Sequence, residues 1–292
     1  MKTVEFEQPA SLAATYLGLL LSSRKRPGRV EALPRVTYVR PRVVLESAPI
    51  ANYSRVCGFG ETHGVPVTYP QMLTFPLVMA FLASADCPWP ALGTVHLANR
   101  IEQRQRLNPG DALRVEVSTG ALLAHEKGQV FTLELKISRA DEIVWTATQT
   151  LLRVRVKNPA GPAFSSELNS SELAADIALS HQADFSAPGN IGRRYGRVSG
   201  DFNPIHLSAI SAELFGFRRA IAHGMWTKAR TLAALMPRAA VERAQVAVEF
   251  KMPLYLPARA SLWSARNAQG AWFEVRHAKS DKPHLRGHLS YQ

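Results

Sequence analysis

Residues 195–208 read Tyr195-Gly196-Arg197-Val198-Ser199-Gly200-Asp201-Phe202-Asn203-Pro204-Ile205-His206-Leu207-Ser208. Asp201 and His206 exchange protons in water, and the residues around them oppose regular structure. Gly200 is permissive, Asn203 is pushed to extended angles by the proline that follows it, and Pro204 removes a backbone donor. The combination predicts a tight, fixed loop. Such a loop, holding a carboxyl group beside an imidazole, suits general acid–base chemistry.

Downstream, Ser208 is placed to cap a short helix that Gly216 would stop. The run from His223 to Pro237 is rich in helix formers and predicts the long helix of this half, starting at Gly224. Its first turn offers unpaired N–H groups and the positive end of the helix dipole, with no side chain in the way, where a developing oxyanion could be met.

Spread over about thirty residues, Tyr195, Ser199-Gly200-Asp201, Asn203-Pro204-Ile205-His206, Gly216-Phe217 and Ile221-Ala222-His223-Gly224-Met225 resemble the hydratase-2 signature of the MaoC-like dehydratases, a hotdog-fold family. Most of the chain is similar to the two-hotdog bacterial members that act as (3R)-hydroxyacyl-thioester dehydratases. The resemblance implies an α+β double hotdog, each half an antiparallel sheet wrapped around a long helix. It also implies reversible hydration of a trans-2-enoyl thioester, carried by CoA or by acyl carrier protein, in fatty acyl metabolism. Asp201 and His206 would hold the water, Gly224 would meet the thioester oxygen, and Asn203 would shape the loop. Ser199, His223 and Tyr195 are matched positions that serve either the substrate or the packing, and Arg218 and Arg219 suit either phosphates or solvent. Two other readings stay open: a hotdog thioesterase, since a fold does not fix its reaction, and an acyl-thioester binding protein without turnover.

The same stretch exposes a repeat. Tyr53-Ser54-Arg55-Val56-Cys57-Gly58-Phe59 answers Tyr195-Gly196-Arg197-Val198-Ser199-Gly200-Asp201 at a constant offset of 142, that is 195 minus 53. Ser47-Ala48-Pro49 likewise answers Ser186-Ala187-Pro188, and the apolar run Phe75 to Ala83 stands where the helix after Gly224 stands. Phe59 replaces Asp201, and no Asn-Pro-x-His follows it. His63 lies near the right place without a carboxyl partner, so the first half is expected to have lost the chemistry and kept the packing. Its Val67 to Phe81 region could wall an acyl tunnel or simply fill the core.

Alternating or β-branched runs at 95–101, 111–118, 129–138, 143–156, 246–252, 260–266, 272–277 and 285–291 predict strands. Asn108-Pro109-Gly110 and Glu126-Lys127-Gly128 predict turns. The expected organisation is a degenerate hotdog over 1–156, a Pro/Gly/Ser-rich linker over 157–172, and a catalytic hotdog over 173–292. Two such sheets could pair edge to edge or face to face as a pseudo-dimer, with further homodimerisation left open.

The 292 residues suffice for two cores, and 46% hydrophobic with 20% charged residues describes a globular chain. Two cysteines, Cys57 and Cys87, give no disulfide framework and no metal-ligand spacing, which fits a cytoplasmic protein. No metal or redox cofactor is implied, since there is no ligand cluster and no Gly-rich dinucleotide loop. A net charge of +12 suits an anionic partner. Nucleic acid is set aside for want of any recognition motif, whereas acyl-CoA and acidic carrier proteins both fit; a solvated basic face accounts for the charge equally. Arg193, Arg194, Arg218, Arg219, Lys228 and Arg230 cluster around the motif. Residues 11–22 are too short to span a bilayer and read as a packed amphipathic helix.

Overall fold

The computed structural model describes residues 2–8, 11–25, 28–91, 93–168, 177–278 and 280–292. Its strands are β1 (Lys2–Glu5), β2 (Val36–Val44), β3 (Thr94–Gln103), β4 (Ala112–His125), β5 (Gly128–Arg139), β6 (Glu142–Val154), β7 (Ser180–Ala187), β8 (Ala244–Phe250), β9 (Ala258–Asn267), β10 (Gly270–His277) and β11 (Pro283–Tyr291). Its helices are α1 (Leu12–Ser22), α2 (Ser47–Cys57), α3 (Pro70–Ala83), α4 (Ile191–Ser199), α5 (Ala209–Glu213) and α6 (Gly224–Leu235).

All the strands join one sheet in the order β1-β2-β4-β5-β6-β3-β8-β11-β10-β9-β7. Read outward from its middle, the first half runs β3-β6-β5-β4-β2 and the second β8-β11-β10-β9-β7. The two orders are the same, so the repeat seen in the sequence is a repeat of topology. The halves meet edge to edge through antiparallel β3 and β8, with Asn99 opposite Val248 and Ile101 opposite Val246. Neither inner edge is left open to pair with another chain.

The strands form for the expected reason. On β4, Leu113, Val115 and Val117 are buried while the side chains between them face outward. Three strands, β1, β2 and β7, lie outside the expected runs. Val36 to Val39 on β2 are buried on both faces, and a register shift between Arg40 and Val43 then breaks the alternation. β7, a mostly exposed edge strand, has almost no apolar face to read.

The helices follow the repeat closely. α2 and α4 both end in a left-handed glycine, Gly58 at φ 85° and Gly200 at φ 78°. They pack against each other with the Tyr53 and Tyr195 rings 6.1 Å apart. From α6, the Trp226 indole N–H donates to the Val56 carbonyl at the end of α2, a further tie between the halves. Helix α1 forms and packs on α3, where Gly18 lets the two approach; a Cβ there would stand 3.0 Å from that of Ala83. Its outward face differs from an amphipathic one, since Leu17, Leu20 and Leu21 are exposed. No helix among the described residues is long and apolar enough to cross a membrane. Of the expected linker, residues 169–172 lie outside the described residues.

Candidate active site

The loop after α4 is built from its own side chains. With Gly200 in the left-handed region the chain reverses, and the Ser199 hydroxyl donates to the Tyr195 carbonyl while accepting from the Asp201 N–H. The Asp201 carboxyl accepts from the Asn203 N–H at 3.1 Å, and the Asn203 side chain accepts from the Ile205 N–H. That Asx-type closure starts a 3-10 turn, Pro204–His206, which delivers His206. α4 lies hard against this turn: a Cβ on Gly192 would fall 1.8 Å from the His206 carbonyl oxygen. The Asn203 side chain thus closes the turn on itself, and Gly192 makes room for it.

His206 and His223 are both buried, and their rings stack with centroids 3.7 Å apart. Nδ1 of His206 lies 2.8 Å from the Ile221 carbonyl oxygen, which can only accept, so in the neutral ring Nδ1 carries the hydrogen and Nε2 the lone pair. Nε2 of His223 donates to the Asp201 backbone carbonyl at 3.0 Å, and its Nδ1 is buried without a partner. Burial pushes the pKa of His206 below the ordinary histidine value, against the pull of Asp201 and the Ile221 carbonyl. It drives His223 down to about 3, with His206 adding to the effect. Both rings are accordingly neutral near pH 7.

One carboxyl oxygen of Asp201 and one ring nitrogen from each histidine lie within 4.8 Å of one another. Such atoms can ligate a cation. The span suits a water bridging carboxyl and imidazole by two hydrogen bonds.

His223 is also the N-cap of α6 and Gly224 its first residue. A side chain at Gly224 would have to displace the Phe250 ring, since a Cβ would stand 2.8 Å from it. Bare backbone at a helix start, beside the carboxyl–imidazole pair, is a donor site for negative charge. Phe250 also packs on His96 of β3, rings 4.8 Å apart, where a bulge between His96 and Ala98 re-aims the strand. Burial, then nearby Lys228, pushes His96 down to about 3.

The basic cluster expected around the motif divides. Arg193, Arg218 and Arg219 are exposed, with Arg218 over the Tyr255 ring and the Arg193 guanidinium on the Leu207 carbonyl. Lys228, by contrast, is fully buried, its Nζ 2.6 Å from Asn99 Oδ1, and burial holds its pKa well below the ordinary lysine value. It is no part of a surface patch. A long side chain one turn into a buried helix face reads as snorkelling in sequence, and only the packing reveals its partner on β3. Tyr195 is buried with its hydroxyl toward Met72 Sδ. In the first half Phe59 is buried where Asp201 stands in the second, and His63 sits edge-on to it with Nδ1 on the Gly60 backbone. Sequence reasoning missed Tyr16 of α1, whose hydroxyl accepts from the Phe202 N–H and donates to the Gly200 carbonyl. A lone tyrosine among leucines carries no signal of that reach.

One sheet made of two like-ordered halves defines a double hotdog, and among the described residues the Asp201 carboxyl and the His206 imidazole come together in its second half. The family profile described as MaoC like domain matches residues 187–286. The 3-hydroxyacyl-thioester dehydratase X of Mycobacterium tuberculosis is 33% identical over 257 residues, 88% of this chain and 90% of that protein. Its crystal structure, HtdX, superposes with a TM-score of 0.72 at 31% identity, covering 88% of this chain and all (100%) of that one. A MaoC-like dehydratase from Phytophthora capsici shares the fold, with a TM-score of 0.68 at 15% identity over 89% of this chain and 96% of that one. So does a Mycobacterium tuberculosis protein described as having a double hotdog fold, with a TM-score of 0.51 at 11% identity over 86% of this chain and 92% of that one. The chain belongs to the MaoC-like hydroxyacyl-thioester dehydratase family.

Proposed function

We propose that this chain catalyses the reversible hydration of a trans-2-enoyl thioester to the (3R)-3-hydroxyacyl thioester, with Asp201 and His206 as the proton-transferring pair. The observation that carries the reading is the approach of the Asp201 carboxyl to a neutral, buried imidazole whose Nδ1 is already committed to a carbonyl. In the hydration direction the pair holds a water and takes one proton from it as the oxygen bonds C3. The C2–C3 double bond opens toward the thioester, whose oxygen gains negative charge and meets the Gly224 N–H. One proton then passes from the pair to C2, and the sum is addition of one water. Dehydration is the same path reversed. Ser199, Asn203, His223 and Tyr195 hold the pair in place.

Exposed Arg218 and Arg219, close in sequence to His223, are candidates for the phosphates of CoA or of a carrier-borne phosphopantetheine arm. Loss of enoyl-thioester absorbance on adding the protein to crotonyl-CoA and to a longer trans-2-enoyl-CoA, beside the same acyl groups on carrier protein, tests both steps. Hydration that collapses in Asp201→Asn and His206→Ala supports the assignment. Wild-type protein that binds these thioesters without hydrating any of them would overturn it in favour of a binding protein, and release of free thiol would point to a thioesterase.

A further inference from the structure

The loop that presents Asp201 is held from outside its own half. α1 precedes the first strand of the repeat unit and lies outside the repeat. It is fastened to the first half at its far end: the Ala91 N–H donates to Ser22 Oγ, and Lys25 Nζ reaches the carbonyls of Ser84 and Cys87, each at 2.6 Å. From this anchored helix Tyr16 crosses to the second half. Its hydroxyl lies 3.1 Å from the Gly200 carbonyl oxygen and accepts from the Phe202 N–H. These are the two residues flanking Asp201 in the chain, so one oxygen brackets the backbone on both sides of the carboxyl-bearing residue.

No other side chain grips the backbone from both sides there among the described residues. Ser199 takes the Asp201 N–H from within the turn, and His223 takes the Asp201 carbonyl from the α6 cap. Without the Tyr16 hydroxyl the Phe202 N–H loses its acceptor in a half-buried setting and the turn can rotate about Gly200. The ring is not needed for that bracket, only the hydroxyl. The hydroxyl also stays a hydroxyl, because burial and then the Asp201 charge raise its pKa to about 12.

We infer that Tyr16 is a positioning residue, which acts on the reaction through Asp201 by fixing the backbone on either side of it. The inference rests on the proposed hydration for its kinetic readout, and on backbone exchange for one that does not need the reaction.

Tyr16→Phe keeps the ring packed and removes only the oxygen. The expected result is a fall of about tenfold or more in kcat with KM little changed, since misplacing a reacting group costs rate before it costs binding. Hydrogen exchange in a peptide spanning Gly200 to Asn203 is expected to quicken, while exchange in β8 and β11 stays as in the wild type. In an Asp201→Asn background the tyrosine change is expected to cost nothing further. Unchanged kcat, or the same loss with and without Asp201, would overturn the inference, and so would exchange at Gly200–Asn203 that matches the wild type. Should the wild type hydrate none of the thioesters offered, the exchange result alone decides whether Tyr16 fixes the loop.

Discussion

The imidazole rings of His206 and His223 stack with centroids 3.7 Å apart and planes 26° from parallel. Protonating either ring would set a cation against its neighbour in a buried place, so the pair is built to stay neutral. Both folded pKa values lie below the ordinary 6.5, that of His223 at about 3. Below pH 6.5 the unfolded chain therefore binds protons that the folded chain refuses. This contribution to stability is whole above about pH 6.5 and is lost as pH falls below it, for His223 down toward about 3. Thermal midpoints measured between about pH 8 and pH 5 check it. His223→Gln keeps a donor for the Asp201 carbonyl and is expected to flatten the profile; a slope identical to the wild type would contradict the assignment.

Asp201→Asn is expected to fold normally, because an amide oxygen still accepts from the Asn203 N–H. Hydration should nevertheless fall by about 100-fold or more in kcat, the range for losing a positioned acid or base. Activity within a few fold of the wild type, in a steady-state assay with enoyl-CoA, would remove Asp201 from the chemistry.

Gly224→Ala drives a methyl group into the Phe250 ring, 2.8 Å away. Overpacking of this kind costs about 1–3 kcal/mol. The variant should melt earlier and lose activity, and adding Phe250→Leu should restore the melting midpoint more fully than the rate. Equal recovery of both would show that the helix start contributes packing alone.

Phe59→Asp writes the missing carboxyl into the first half. Phe59 is buried there, and no Asn-Pro-x-His turn follows to supply an imidazole. The change is expected to destabilise by several kcal/mol as an unpaired buried charge and to give no activity in an Asp201→Asn background. Rescue of hydration by Phe59→Asp would mean that the first half still holds a working site.

The repeat and the loop were legible because both rest on local rules. Tyr53 and Tyr195, paired by the constant offset, each stand five residues before a left-handed glycine, and Gly224 begins the helix that the composition past it predicts. What escaped the sequence depends on distant neighbours. Val36 to Val39 are buried on both faces and show no alternation to read, while β7 is an exposed edge with little apolar pattern. Lys228 clusters with basic neighbours in sequence, but its Nζ lies against Asn99, and that carboxamide continues through Gln71 to Gln149. Tyr16 stands 185 positions before Asp201, and nothing within a helical window announces such a contact.

The β3–β8 seam has a consequence for how the enzyme behaves in dilute solution. In a site shared between two separate hotdog chains, dilution can pull the partners apart and take the activity with them. Here both sides of the seam belong to one polypeptide, so their encounter is unimolecular and the effective concentration of one half around the other is fixed by the tether. Specific activity that stays level as the protein is diluted is the behaviour this covalent joining confers, and it holds the first-half contacts of Tyr16, Val56 and Asn99 against the second half at any protein concentration.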